Sequence, residues 1–127
     1  MITINGIDFD VDMTDTDVLE RLEEAAETIQ KKVKAEQAKN QKGSQTVKRF
    51  NELTEEFVDT ILGEGASEEL FGGRKSMTEH LKVYQGIFDA KDAALQEIAA
   101  ITDTFNSKYS PNRATRRAMA SKGSAKS

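Results

Sequence analysis

The chain has 127 residues, no cysteine and one proline, with 31% charged and 37% hydrophobic side chains. These values fit one mainly helical domain, and they exclude a disulfide framework, thiolate chemistry and two independently folded cores. No apolar run reaches the roughly 18 residues of a membrane span, and the N-terminus lacks the basic start and apolar core of a signal peptide. The composition therefore predicts a soluble intracellular protein without a membrane segment.

Charge is distributed unevenly along the chain. Residues 1–103 hold 12 Lys and Arg against 22 Asp and Glu, a net charge of −10, whereas residues 104–127 hold six bases and no acid. This asymmetry is typical of an acidic folded body with a basic appendage that binds an acidic partner, such as another protein. We therefore predict a hairpin plus helical domain over residues 1–109 and a flexible basic tail over residues 110–127.

The first eleven residues carry the pattern of a β-hairpin. Apolar and polar residues alternate on both sides of an Asn-Gly pair at positions 5 and 6, which favours the positive φ angles of a two-residue turn. This turn sets Ile4 opposite Ile7. The second pair on the same apolar face is Ile2 with Phe9. An isolated hairpin is marginal in water, so this face rests either on the chain's own helices or on a partner's sheet.

Two amphipathic helices follow the hairpin. The first is predicted over about residues 15–38 by apolar residues at helical spacing, with acids at its start and lysines towards its end, as the helix dipole favours. Residues 40–44 interrupt the pattern. The second helix is predicted from about Val47 to Leu62, and it ends at Gly63 because glycine readily takes the left-handed conformation that follows a helix.

The third helix is predicted to be the longest element. The sequence Ser76-Met-Thr-Glu79 has the spacing of a capping box, in which the two side chains each bond a free backbone N–H at the helix start. Apolar positions then keep helical spacing for about seven turns: Met77, Leu81, Tyr84, Phe88, Leu95, Ile98, Ile101, Thr102 and Phe105. The helix ends before Pro111, because proline donates no hydrogen bond and restricts the residue before it.

A glycine-rich segment, residues 61–76, joins the second and third helices. It lacks the Gly-Lys-Ser spacing and the preceding strand of a P-loop, and its glycines do not match a dinucleotide fingerprint. Gly63, Gly65 and Gly72 instead predict helix ends and a turn around a short helix that is capped by Ser67. The segment is therefore interpreted as a hinge between helices.

Two apolar residues and three polar ones complete this segment. Leu70 and Phe71 are predicted to close the edge of the core from the short hinge helix. Arg74, Lys75 and Ser76 stand at the N-terminus of the third helix, where backbone N–H groups and the helix dipole favour anions. An anion site at these residues is therefore the alternative to a purely structural hinge.

Two further candidate sites are weaker. Asp8, Asp10 and Asp12 resemble the start of a calcium loop, but the glycine and glutamate that such a loop requires are absent, so they are interpreted as a solvated strand face. His80 is the one histidine in the chain, has no recognisable nucleophile or metal ligands beside it, and is interpreted as a boundary residue. No catalytic residue, metal site or cofactor is predicted, and the protein is not expected to be an enzyme.

The C-terminal tail contains one charged motif. If the tail is helical, Arg113, Arg116 and Arg117 share a face, and they can bind acidic residues of a partner or a phosphate backbone. A solubilising tail is the alternative. Nucleic acid is disfavoured as a partner, because the body is acidic and no aromatic residues interleave with these bases. The predicted fold is mainly α (α+β): an N-terminal β-hairpin, three main amphipathic helices, a short hinge helix and a basic tail.

These motifs carry a resemblance to a known family. The stretch Phe57-Val-Asp-Thr-Ile-Leu-Gly-Glu-Gly-Ala-Ser-Glu-Glu-Leu-Phe-Gly-Gly-Arg74, together with the closing Asn112-Arg-Ala-Thr-Arg-Arg-Ala118, resembles small proteins encoded in tail gene clusters of long-tailed phages that infect Gram-positive bacteria. Those proteins are similar to tail assembly chaperones. The first motif spans the hinge and the second spans the basic tail, whereas the long helix is matched only in general pattern.

The resemblance implies a non-enzymatic, mainly helical protein that binds the tape measure protein and helps tail tube subunits to polymerise around it. Such a protein acts in the host cell cytoplasm and is absent from the mature virion. Members of the family often have a second, frameshifted product with a longer C-terminus. The resemblance also implies that the hinge glycines and the apolar pair are a structural or interaction feature, and that the three tail arginines are a contact segment.

The residues and the resemblance predict the same mechanism. A tape measure protein is a long helical chain that would aggregate when bare, and amphipathic helices from many copies of a small acidic protein can cover it by groove packing. Weak sites repeated along one chain gain avidity and are displaced stepwise by tube subunits. The thin core also predicts a homo-oligomer. Two alternatives remain: a structural tail or connector component of the virion, and a nucleic-acid-associated regulator that uses the basic tail.

Overall fold

The computed structural model describes residues 1–108, which form two β-strands and four α-helices. In chain order they are β1 (Ile2–Ile4), β2 (Ile7–Phe9), α1 (Thr16–Gln37), α2 (Gly43–Leu62), α3 (Ala66–Phe71) and α4 (Met77–Lys108). The predicted mainly α fold, with an N-terminal hairpin, three main helices and a short helix, is confirmed. The predicted basic tail lies outside the described residues.

The chain divides into two compact units, Met1–Asp92 and Ala93–Ser127. The first unit contains the hairpin, α1, α2, α3 and the first half of α4. The described part of the second unit is the remainder of α4. Within residues 1–108, no helix is long and apolar enough to span a membrane.

The hairpin has the register that its turn predicts. β1 and β2 are antiparallel, and Ile4 pairs with Ile7 while Ile2 pairs with Phe9. The two turn residues have φ angles of 50° and 78°. These positive values are those of a turn that favours asparagine and glycine, so the Asn-Gly pair determines the pairing locally.

The apolar face of the hairpin packs on its own chain. Ile4 and Phe9 are buried, and Ile4 lies over Gly86 in the first half of α4, where a Cβ added to the glycine would be 3.4 Å from Ile4 Cδ1. Of the two possibilities that the sequence left open, the structure therefore selects the chain's own helices. A Cβ at position 86 would therefore touch Ile4 at an ordinary contact distance.

Substitution of Gly86 tests this packing. Gly86→Ala is expected to raise the free energy of unfolding by up to about 1 kcal/mol, because alanine has the higher helix propensity and its Cβ would make an ordinary contact with Ile4. Gly86→Leu is expected to lower it, because the longer side chain would displace Ile4. Urea denaturation measures both changes. Equal destabilisation by alanine and leucine would contradict the contact described.

The bounds of α1 and α2 follow their local sequence. Asp15 is the N-cap of α1, and its carboxylate accepts hydrogen bonds from the backbone N–H groups of Asp17 and Val18. α2 begins at Gly43, earlier than the predicted Val47. This earlier start is possible because the backbone N–H groups at positions 45 and 46 donate to the carbonyl oxygen of residue 42, which forms an additional turn.

The core of the first unit is built mainly by α2. α1 and α3 both pack against α2, and the aromatic ring of Phe57 on α2 contacts the ring of Tyr84 on α4. The largest fully buried side chains are Leu22, Thr54, Val58, Ile61, His80, Val83 and Ile87. Two of the seven, a threonine and a histidine, are polar, so hydrogen bonds as well as apolar contacts define this core.

Candidate functional site

The residues predicted to form a hinge lie at the ends of α2 and α3. Gly63 follows α2 with φ 110°, and its N–H donates to the carbonyl oxygen of Asp59. Gly65 precedes α3 with φ 89°, and Gly72 follows it with φ 54°. All three angles are positive, a conformation that side chains other than glycine disfavour. The glycines therefore permit the turns at both ends of α3, which packs against α2.

α3 is capped by a side chain from α2. Asp59 Oδ1 accepts a hydrogen bond from the backbone N–H of Ser67 at 2.8 Å, and Asp59 Oδ2 accepts one from its hydroxyl at 3.0 Å. The prediction that Ser67 is itself the N-cap was wrong, because α3 begins at Ala66 after Gly65. A carboxylate at a helix N-terminus also interacts favourably with the helix dipole. Asp59 thus stabilises the turn between the two helices.

Asp59→Ala is expected to lower the free energy of unfolding by about 1 kcal/mol and to speed amide hydrogen exchange in α3, since it removes this cap. Asp59→Asn keeps an acceptor oxygen for the Ser67 N–H and is expected to have a smaller effect on both quantities. Hydrogen exchange measured by NMR on the two variants checks this. Unchanged exchange in α3 of the alanine variant would rule out the capping role.

The apolar pair of α3 is buried, and one member stacks on the histidine. Leu70 and Phe71 are each 2% exposed. The rings of Phe71 and His80 are nearly parallel, with an interplanar angle of 4° and centroids 3.8 Å apart. α3 therefore covers the start of α4 from one side.

His80 is fully buried, so its interpretation as a boundary residue was wrong. Nδ1 lies 2.7 Å from the carbonyl oxygen of Ser76, and Nε2 lies 2.8 Å from Oε2 of Glu55 on α2. A carbonyl oxygen only accepts, so Nδ1–H donates to Ser76, and Nε2 is hydrogen-bonded to the Glu55 carboxyl group. The ring therefore links α2 to α4, and it is fully buried between them.

An anion site at the start of α4 was the alternative to a structural hinge. Two of its three predicted residues, Arg74 and Ser76, already form hydrogen bonds within the chain. Arg74 Nε donates to Oε1 of Glu79 at 2.9 Å, and its Nη2 donates to the carbonyl oxygen of Leu70 at 2.8 Å. Ser76 Oγ accepts from the backbone N–H of Glu79. Only the serine half of the predicted capping box forms, because the glutamate pairs with the arginine. This corner therefore stabilises two helix ends.

The face that α4 buries differs in part from the predicted apolar pattern. The buried side chains of α4 are His80, Val83, Ile87 and Ala94, whereas Met77 and Leu81, two positions of that pattern, are 39% and 41% exposed. Adjacent residues on a helix differ by about 100° in direction. The first half of α4 therefore carries two neighbouring apolar faces, and the elements of the first unit cover only one of them fully.

The second apolar face of α4 forms one wall of a groove. This apolar groove lies between α1, α2 and α4 within the first unit and has a volume of about 270 Å³. The residues that line it are Ile29, Gln30, Val33, Lys34, Gln37, Phe50, Leu81 and Tyr84. Lys34 is the one charged residue that lines it among the described residues. The groove thus presents an open apolar surface with a basic edge.

The groove residue Tyr84 packs against two aromatic rings. The Tyr84 ring lies 5.0 Å from the Phe57 ring and 4.9 Å from the Phe88 ring, and both pairs are tilted. Tilted aromatic pairs at these distances are favourable. Burial raises the pKa of the Tyr84 hydroxyl above its usual value, so the hydroxyl is uncharged at neutral pH. The groove is therefore held in shape by packing that does not depend on a partner.

The other side of α2 is acidic. Glu52, Glu55, Glu56 and Asp59 line one surface depression together with Arg49. Despite this density of carboxylates, residues 1–108 contain no group of three or more His, Cys, Asp or Glu side chains arranged to hold a metal ion. The apolar groove, by contrast, is lined mainly by apolar side chains.

The predicted contact residues Arg113, Arg116 and Arg117 lie outside the described residues. Their role stays a prediction. The sequence pattern identified Leu81 and Tyr84 as apolar helix positions, but it did not show that they line a groove with α1 and α2.

One comparison with known proteins gives a match. The model of a family of unknown function, DUF6673, matches residues 5–120. No curated protein and no solved structure matches the chain. The matched range extends from the hairpin turn to beyond the arginine motif, and so includes both motifs that the sequence singled out.

Proposed function

The chain belongs to the family of unknown function DUF6673, and we propose that it is a non-enzymatic chaperone of phage tail assembly. Its client is the tape measure protein, around which it promotes assembly of tail tube subunits. The observation that carries the proposal is the apolar groove, in which Leu81 is 41% exposed. The resemblance of the hinge and tail motifs supplies the phage context.

The shape and chemistry of the groove suit a helical client. A helix that binds in such a groove inserts apolar side chains spaced three, four and seven residues apart. The apolar walls formed by Phe50 and Leu81 would bury these side chains, and Lys34 at the edge favours a client helix with an acid beside its apolar face. The tape measure protein, as a long helical chain, offers many such segments.

The strength of one groove is limited by its size. At about 270 Å³ the groove accommodates only a few apolar side chains, so each contact is weak. Many copies on one long chain would gain through avidity, and each copy could still be released singly. This combination suits a protein that covers a client in the host cell cytoplasm and is replaced by tube subunits, so that it is absent from the mature virion.

The structural role of His80 supports a proposal without a catalytic step. His80, the one histidine of the chain, is fully buried and bonded on both ring nitrogens. It stabilises the junction of α2 and α4. The described surface offers its apolar groove instead, which is suited to binding.

A peptide titration tests the groove directly. Overlapping helical peptides that cover the tape measure protein of the same gene cluster are titrated into the purified chain, and binding is followed by fluorescence anisotropy. Leu81→Glu places a charge in the groove and is expected to weaken binding at least tenfold, since an unpaired charge there must be desolvated. Met77→Glu is the matched control: it lies on the same helix, is similarly exposed and does not line the groove.

The outcomes separate the proposal from its rivals. Binding that is lost in Leu81→Glu and kept in Met77→Glu supports the groove. Because apolar contacts respond weakly to salt, the affinity should change little between low and moderate salt. A steep fall with salt would show that ionic contacts, and not the apolar walls, carry the binding, and it would contradict the groove as the client site. Equal binding by the two variants would reject the groove as the client site.

A further inference from the structure

The described part of the second unit carries an exposed apolar surface on α4. Leu95 and Ile101 are 46% and 48% exposed, and Ile98 between them is half-buried. These three residues, the α4 stripe, fall within an arc of about 120° on the helix. Half-exposed large apolar side chains that share one helix face mark a surface suited to packing against another protein.

The charged residue beside the Ile101 end of the α4 stripe is acidic. Residues 93–107 contain two acids, Glu97 and Asp103, and no base. On a helix, Glu97 lies about 40° from Ile101, directly beside the stripe. The stripe therefore has an acidic edge near Ile101, whereas the basic Lys91 precedes Leu95 by about one helical turn.

The apolar groove of the first unit has the complementary character. It is apolar, and the one charged residue lining it within the described chain is the basic Lys34. We propose that the α4 stripe of one copy occupies the apolar groove of a second copy, with Glu97 placed beside Lys34. This inference rests on the proposed function for the role of the groove, and it adds that the groove is filled by the chain itself until a client displaces it.

The proposed contact joins two different surfaces, so each copy contributes one groove and one stripe. Such a heterologous interface continues from copy to copy, as an open chain or a closed ring. Self-association and client binding then compete for the groove. This competition keeps the apolar surface covered before the client is made and releases single copies onto it afterwards.

A complementation experiment tests the contact. The full chain is measured by sedimentation velocity over a range of concentrations as wild type, as the groove variant Leu81→Glu and as the stripe variant Leu95→Glu/Ile101→Glu. The wild type is expected to increase in mass with concentration, and each variant alone is expected to stay monomeric. An equimolar mixture is expected to form a dimer and nothing larger, because one intact stripe and one intact groove remain.

Three results would overturn the inference. A wild type that stays monomeric at every concentration has no such interface. A groove variant that dimerises alone would show that stripes pair with stripes, and a mixture that stays monomeric would show that groove and stripe do not meet. All substituted positions are exposed, and circular dichroism verifies that each variant is as helical as the wild type.

A charge exchange tests the orientation of the contact. Lys34→Glu and Glu97→Lys should each weaken association severalfold, and a chain with both substitutions should recover it. Failure of the double variant to recover would overturn the placement of Glu97 beside Lys34. Client binding is measured separately with the peptides described above, so self-association without peptide binding would reject only the client, and peptide binding without self-association would reject only this inference.

Discussion

His80→Ala is expected to lower the free energy of unfolding by about 3 kcal/mol, because the substitution removes two buried hydrogen bonds and leaves a cavity. The ring is fully buried, bonded to Ser76 and Glu55, and stacked on Phe71. Its loss separates the start of α4 from α2 and removes the surface on which α3 packs. Urea denaturation followed by circular dichroism measures the change.

Two further variants separate the contributions at this position. His80→Phe keeps a ring against Phe71 but loses both hydrogen bonds, so it is expected to recover part of the stability. Glu55→Ala is expected to cost less than His80→Ala, because the Glu55 side chain is 42% exposed and water can replace it. A loss below about 1 kcal/mol for His80→Ala would contradict the role of the ring as a link between helices.

Phe57→Ala is the second large effect, with an expected loss of about 4 kcal/mol in the free energy of unfolding. Phe57 is 3% exposed, and its ring contacts the rings of Tyr84 and Phe88 at 5.0 and 5.9 Å. Truncation therefore removes the packing beneath the groove as well as the apolar area of one ring. Urea denaturation gives the stability, and the peptide titration gives the effect on the groove.

Phe50→Ala is the matched comparison for this prediction. Phe50 is half-buried on the same helix and lines the groove, so its truncation should cost much less stability while still weakening peptide binding. If Phe50→Ala and Phe57→Ala had equal effects on stability, the ring cluster would not be the support of the groove.

The elements predicted best from the sequence are those that local chemistry determines. The hairpin register follows from the Asn-Gly turn, whose positive φ angles suit few other residues. α1 closely matches its predicted range because its apolar residues keep one period and Asp15 caps its start. For α2 the glycine at its end was predicted correctly, and its start was not, since no side chain caps that start.

The face of α4 could not be predicted in the same way. The apolar pattern included Met77 and Leu81, which are exposed, whereas the structure buries His80, Val83, Ile87 and Ala94. Two adjacent faces of this helix are apolar enough to be buried, and packing against α2 and α3 decides between them. A histidine also counts as a polar residue when apolar periodicity is used to predict the buried face of a helix. Here two hydrogen bonds and a stacked ring offset the cost of burying the polar side chain.

The corner between α2 and α4 shows a second limit of sequence reasoning. Its glycines were placed correctly at helix ends, but its stabilising side chains come from α2, since Asp59 caps α3 and Glu55 bonds His80. Asn51 on α2 also donates to the carbonyl oxygen of Lys75 at 2.8 Å. Such long-range hydrogen bonds leave no local pattern. The segment predicted to be a hinge is therefore well bonded on both sides.

The proposed function depends on the apolar face of α4 that the core does not cover fully. Leu81 and Tyr84 on this face form a groove with α1 and α2. A chain of this size gains little by exposing such a surface unless another molecule covers it. The client helix and the stripe of a second copy are the two occupants that the proposals assign to it, one during assembly and one before it.

Co-expression of the chain with the tape measure protein of the same gene cluster tests the central claim most directly. The proposed function predicts that the tape measure protein becomes soluble and co-purifies with the wild type and with Met77→Glu, and that Leu81→Glu leaves it insoluble. A tape measure protein that stays insoluble with the wild type, or that is equally soluble with Leu81→Glu, would contradict a chaperone that acts through this groove.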